Sequence, residues 1–389
     1  MPDSGKLLLE LFLMFSSGKL LAEVCERLRQ PAVLGEILAG VLLGPSALAL
    51  IHPTEMTRGL AEIGAIFLLF TVGLETKPRE LLEVGGTAVL VAVLGVIVPF
   101  ILGFAYMKIS HGLVESIFVG AAMVATSVGI TARVLADNGV LATRMARVIL
   151  GAAVLDDILG LLVLAVVSSM STGQVDYLQL GIVTVEAIGF TLLIVFLGPR
   201  MVRKARPTVE RLRARDSAFI LSIILCLGLS LASVYIGMAA IIGAFLAGLA
   251  MAEYSEKWHL RENARPIMEF MTPFFFVLLG AQMNLKTVMH PGVVLTAAIV
   301  CLLAVLSKVI GCGLGSLRLG WKPALQIGVG MVPRGEVGLI VAAVGLGLHT
   351  ISDAIYSVVL LMSIVTTLFA PPVLRLLLRG QTGLQADRL

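Results

Sequence analysis

The sequence predicts an all-α polytopic membrane protein of thirteen transmembrane helices: two inverted six-helix repeats, a linker helix between them, and crossed, broken helices in the core. Three observations lead there. Hydrophobic residues make up 58% of the 389 and charged residues only 14%, against about 25% charged in soluble domains. Apolar runs long enough to cross hydrocarbon, about 20 residues each, recur along the whole chain. Basic residues gather in alternate connections between those runs. With a mean hydropathy of +1.01, too little charge remains to solvate a surface, which excludes a soluble enzyme, a nucleic-acid binder and a disordered scaffold.

Apolar runs, read against Pro, Gly and charged punctuation, place the spans in order at 6–25, 32–50, 58–75, 85–106, 115–137, 144–170 and 178–199. The rest fall at 215–236, 238–253, 265–283, 292–314, 322–347 and 352–377. The first has a weak basic start (Lys6 alone), a polar step at Ser16 and Ser17 and no A-x-A site, so it reads as a retained helix rather than a cleaved signal. Alternation then puts Lys6, Arg58, Lys108 and Lys286 on one face and twenty-one bases on the other, seven of them in the basic stretch after the seventh span. By the positive-inside rule the N-terminus is outside and the C-terminus cytoplasmic, in the cell (inner) membrane. Lys19, Arg133, Lys308 and Arg334 fall within spans. Lys19 and Arg133 lie near the inner ends, where snorkelling is expected. The four cysteines lack ligand spacing and read as small hydrophobes, and the five histidines form no sequence-close metal pair.

Thirteen spans divide as six, one and six. An odd connector turns the second half upside down relative to the first, an arrangement found in secondary transporters, where helices break at matching places. The fifth span carries Thr126, Ser127, Gly129 and Thr131 at mid-membrane. The twelfth, fifth in its own half, carries Pro333, Arg334, Gly335 and Glu336, and proline breaks helices. Arg334 and Glu336 read as a local pair that stabilises the break.

Charge inside a membrane is expensive, about 2.5–3.5 kcal/mol per group on insertion scales. Asp156 and Asp157 sit at the middle of the sixth span, and Lys308 lies in the eleventh. Burial disfavours an ionised carboxylate and a nearby ammonium favours it, so such a group can alternate between a proton and a small cation. Na⁺ prefers oxygen ligands, which Asp157, Thr126 and Ser127 supply. Glu36, Glu62 and Glu186 lie in or near spans without evident partners and read as interface or cavity residues.

These residues carry a resemblance. Segments 30–45 (QPAVLGEILAGVLLGP), 67–75 (FLLFTVGLE), 125–135 (ATSVGITARVL), 152–160 (AAVLDDILG) and 330–342 (GMVPRGEVGLIVA) resemble the monovalent cation:proton antiporter-2 family, in particular its NapA-type bacterial sodium/proton antiporters. The resemblance implies a homodimer. Its dimerisation domain would be 1–75 with 215–283, its ion-transport core 85–170 with 292–377, its linker helix 178–199, with a basic cytoplasmic loop at 200–214. It implies that Asp157 carries the ion, that Asp156 pairs with Lys308, and that the Asp-Asp pair makes exchange electrogenic. No cofactor is implied; Na⁺ (or Li⁺) and H⁺ are substrates, and the core would move against the dimer domain.

Two alternatives stay open on the sequence: a K⁺/H⁺ antiporter of the Kef-like branch, and a Na⁺-coupled organic-solute symporter of related fold. Kef-type systems usually add cytoplasmic regulatory domains, for which the dozen or so residues after the last span leave no room. An intramembrane aspartyl protease needs its aspartates on different helices and a GxGD segment, which the chain lacks. A channel needs a filter ring, and no TVGYG-like segment occurs.

Overall fold

The computed structural model describes residues 3–28, 30–45, 47–76, 83–172, 177–211, 216–282, 291–334 and 351–378. Among these every regular element is helical. In chain order they are α1 (Asp3–Arg27), α2 (Ala32–Leu43), α3 (Glu55–Leu74), α4 (Gly85–Lys108), α5 (Leu113–Ala122), α6 (Val128–Asp137) and α7 (Arg144–Thr172). Then follow α8 (Tyr177–Val209), α9 (Ser217–Tyr235), α10 (Ala240–Met251), α11 (Leu260–Ala281), α12 (Pro291–Ser316), α13 (Trp321–Gly330) and α14 (Asp353–Leu378). Seven described segments, within α3, α4, α8, α9, α11, α12 and α14, are long and apolar enough to cross a membrane. Their outward faces are greasy: Leu192, Ile224 and Leu231 are all exposed, as expected of side chains that meet lipid, with backbone polar groups satisfied inside each helix.

Three boundaries differ from the sequence reading. The second span, expected over 32–50, is helical only to Leu43, because Gly44 adopts an extended backbone ahead of Pro45. Its 12 residues reach roughly 18 Å, short of the roughly 30 Å hydrocarbon core. The ninth, expected over 238–253, is helical from Ala240 and tightens into a 3₁₀ turn after Met251. The stretch expected as a basic loop at 200–214 is instead helical as far as Val209. Arginine and lysine are good helix formers, and the helix end is tied down by Glu210, which accepts from both Arg206 and Lys257. Those two hydrogen bonds, Lys257 first, hold the exposed Glu210 carboxyl down to about 2. The link is therefore fully present above the ordinary carboxylate range and is lost only as pH falls toward 2.

Glycine decides which helices come together most closely. A methyl group at Gly35 would lie 2.3 Å from the Leu21 carbonyl, and one at Gly40 only 1.9 Å from the Val277 carbonyl. Gly64 meets Met271, Gly73 meets Phe245 and Gly243 meets Leu229 in the same backbone-to-backbone way. These approaches knit α1, α2, α3, α9, α10 and α11 into one bundle. A second set, Gly311 against Leu94, Gly315 against Val91 and Gly328 against Val309, knits α4, α12 and α13, with α5, α7 and α14 alongside. Between the two bundles Gly129 meets side chains, the Phe275 ring at an ordinary 3.5 Å and Leu69 at 4.0 Å. The seam is apolar: Leu69, Ile242 and Phe245 line one gap with Val128, Leu150 and Val154, and among the described glycines none brings the backbones of the two bundles together there.

Gly40→Ala is expected to cost about 1–3 kcal/mol or more through overpacking against α11. Gly59→Ala in α3 meets nothing within 4 Å and is expected to be neutral or stabilising, since alanine is the better helix former. Thermal unfolding of the two variants in detergent checks the contrast; equal shifts would refute it.

Candidate ion-binding site

The fifth span does break. Helix stops at Ala122 and restarts at Val128, and in the twelfth span α13 stops at Gly330, with residues 332–334 non-helical. Several of the freed backbone groups find partners at the crossing or on the helices beside it. Ser127 N–H donates to the Pro333 carbonyl at 2.7 Å. Thr131 Oγ1 donates to the Gly330 carbonyl at 2.6 Å. Arg334, fully buried, donates through Nη1 to the Ala125 carbonyl at 2.7 Å and through Nη2 to the Ala304 carbonyl at 3.2 Å. The Arg334 carbonyl in turn accepts from Thr367 Oγ1 at 2.7 Å. Irregular backbone at membrane depth survives only when satisfied in this way. The crossing also brings the positive end of α6 and the negative ends of α5 and α13 to one place.

Two further helices supply the charges. Lys308 of α12 is fully buried, and its Nζ donates to Asp156 Oδ2 of α7 at 2.9 Å. Gly95 on α4 leaves room for Cys312 one turn along from that lysine, because a methyl group there would stand 2.7 Å from Cys312 Sγ but an ordinary 3.5 Å from Lys308 Nζ. The same Asp156 oxygen accepts from Thr126 Oγ1. Asp156 Oδ1 and Ser127 Oγ are buried, and no described residue hydrogen-bonds to either. Asp157 follows about 100° further round α7 and is half-buried. The place therefore holds a neutralised carboxylate–ammonium pair, a second carboxylate, and two buried oxygens with capacity to accept.

A model of the family described as "Sodium/hydrogen exchanger, transmembrane" matches residues 12–380. The chain belongs to the sodium/hydrogen exchanger family. It is 36% identical to the high-affinity Na⁺/H⁺ antiporter NhaS3 of Synechocystis sp., over 96% of this chain and 90% of that one. It is 34% identical to the Na⁺/H⁺-K⁺ antiporter GerN of Bacillus cereus, over 94% and 95%. In fold it is similar to the sodium proton antiporter MjNhaP1 of Methanocaldococcus jannaschii, with a TM-score of 0.69 at 18% identity, covering 98% of this chain and 99% of that one.

Within this exchanger, Asp156, Thr126 and Lys308 meet directly, and Ser127, Thr131, Pro333 and Arg334 meet at the crossing. Thr126, expected beside Asp157, gives its hydroxyl to Asp156. Gly129 faces the seam rather than the charges. Arg334 serves two carbonyls; its expected pairing with Glu336, like Gly335 itself, lies outside the described residues. Sequence reasoning missed Gly95 and Thr367, since a space-making glycine and a hydroxyl that closes one carbonyl carry no spacing signal. It also misplaced Arg133, expected to snorkel but 8% exposed, because snorkelling assumes an open path to the surface. Its neighbour Glu36 is fully buried. Glu62 lines a separate cavity of about 380 Å³ with Arg58 and Gln282, and Glu186 is exposed.

Proposed function

We propose that this exchanger moves Na⁺ (or Li⁺) out of the cytoplasm against inward H⁺, with Asp157 as the group that alternately holds cation and proton. The observation that carries the reading is the buried Asp156–Lys308 pair beside Asp157 at the crossing of two broken helices. A cation arriving at Asp157 finds Ser127 Oγ and Asp156 Oδ1 ready to accept it. Turning Asp156 toward the cation loosens its hold on Lys308, and the ammonium, now buried without its counter-ion, gives up a proton. Two protons then replace one Na⁺, and one net charge crosses per cycle, worth about 2.3 kcal/mol per 100 mV.

The glycine-knit bundles support a division of labour. Helices α1–α3 and α9–α11 form the dimerisation domain of a homodimer in the cell membrane, α4–α7 and α12–α14 the moving core, and α8 the linker. The N-terminus lies outside and the C-terminus in the cytoplasm. The apolar seam, free of backbone interlock, suits sliding of one bundle on the other.

Purified protein in proteoliposomes, with a pH dye and Na⁺, Li⁺ and K⁺ offered in turn at a clamped potential, tests the reading. Proton flux driven by Na⁺ or Li⁺ and steepened by potential is expected. Flux indifferent to potential would reject the electrogenic part. Flux driven only by K⁺ would favour the second reading, K⁺/H⁺ exchange, which the likeness to the Bacillus cereus Na⁺/H⁺-K⁺ antiporter supports.

A further inference from the structure

One buried carboxylate takes no part in the site above. Glu36 on α2 is fully buried, and neither of its oxygens accepts a hydrogen bond from any described residue. Lys19 Nζ on α1 stands 3.6 Å from Oε1, near enough to act through its charge but outside hydrogen-bond reach. On the α6 side, Arg133 holds Asp137 one turn further on, Nε to Oδ1 at 3.0 Å, and keeps its Nη1 buried with no acceptor among the described residues. Arg133 and Lys19 are the cations acting on Glu36, with Asp137 opposing them. Glu269 of α11, itself bound to Arg265 at 2.7 Å, acts on Arg133 in turn. Four helices, α1, α2, α6 and α11, thus each turn charge toward one place in an otherwise apolar seam.

The two orphans belong to different bundles. Glu36 rides on α2, locked to α1 and α11 through Gly35 and Gly40. Arg133 rides on α6, the half-helix that starts at the crossing directly after Ser127. Among the described residues Glu36 has only Lys19 at ion-pair distance and Arg133 Nη1 has no acceptor; buried groups so poorly satisfied are costly, and a short slide of α6 along α2 would let each satisfy the other. We propose that Glu36 is a second proton-binding site, separate from Asp157, at which protonation decides whether Arg133 docks on α2 and so how readily the crossing moves. The ionised carboxylate favours the docked arrangement and the neutral acid removes that preference. A proton can shift such an equilibrium only because it binds the two arrangements unequally. The inference rests on the sliding motion proposed above.

Glu36→Gln keeps the volume and removes the titration. Proton flux against pH, in proteoliposomes saturated with Na⁺, should show its midpoint displaced by about one unit or more, a tenfold change in proton activity. The KM for Na⁺ on the plateau should stay within about twofold, since uniform binding at Asp157 is untouched. Arg133→Gln should displace the midpoint likewise, and the double variant no further, because residues acting as one contact are not additive. An unmoved midpoint in both variants overturns the proposal. So do additive displacements, and so does lost thermal stability with the curve unmoved, the signature of a purely structural role. The motion has its own test in Leu150→Cys with Ile242→Cys, which face one gap in the seam, joined by a bifunctional thiol reagent. Transport that continues through the cross-link overturns the sliding motion and the latch with it. A block with an unmoved Glu36→Gln midpoint overturns the latch alone.

Discussion

Asp157→Asn should abolish cation-driven proton flux while leaving the protein folded. The amide has the shape of the acid but neither binds a proton at neutral pH nor carries charge for a cation. A unit charge pair at about 4 Å is worth about 4 kcal/mol at the effective dielectric near 20 typical of protein sites. Losing it weakens cation binding by about three decades. The fold should not suffer, because Lys308 keeps its partner in Asp156 and the crossing keeps its own hydrogen bonds. Dye-reported flux and thermal unfolding on the same preparation check both halves. Flux near the wild-type rate would move the ion to Asp156, and a collapsed melting curve would make Asp157 a structural group.

Lys308→Met has the opposite profile, a large loss of stability. The lysine is fully buried, and without its ammonium the Asp156 carboxylate keeps Thr126 on one oxygen and no described partner on the other. Removing one partner of a buried pair costs about 3–5 kcal/mol, because the remaining charge is stranded, whereas replacing both is often close to neutral. Lys308→Met combined with Asp156→Asn should therefore recover most of the stability lost in the single variant. Thermal unfolding of both singles and the double closes the cycle. If Lys308→Met costs the same with Asp as with Asn at 156, the pair contributes nothing. The Asp156→Asn single variant also bears on the charge count, since its flux should lose dependence on membrane potential if Lys308 is the second proton carrier.

Much of the site was legible before any coordinates, because membranes make polarity conspicuous. Asp156, Asp157 and Lys308 stand out from apolar spans for the plain reason that each would cost kilocalories there. Pro333 marks a break because it lacks an N–H. The pairing of α7 with α12 could not be read from spacing, since Asp156 and Lys308 lie 152 residues apart. Nor could the hydrogen bond that turns Thr126 toward Asp156 rather than Asp157, because one hydroxyl rotamer depends on what surrounds it. Glu36 and Arg133 show the limit most clearly. Each alone looks like an unremarkable charge near a helix end, and only their burial on either side of one seam gives them meaning.

What the sequence determined by itself was the class of environment and the identity of the charges, because transfer from water to hydrocarbon acts on each residue separately and shows in composition and run length. The tertiary structure decided which helices meet backbone to backbone and which meet only through side chains. That depends on glycines at Gly35, Gly40, Gly73 and Gly311 finding a carbonyl opposite, a fit between two surfaces. No single stretch of chain contains both sides of such a fit.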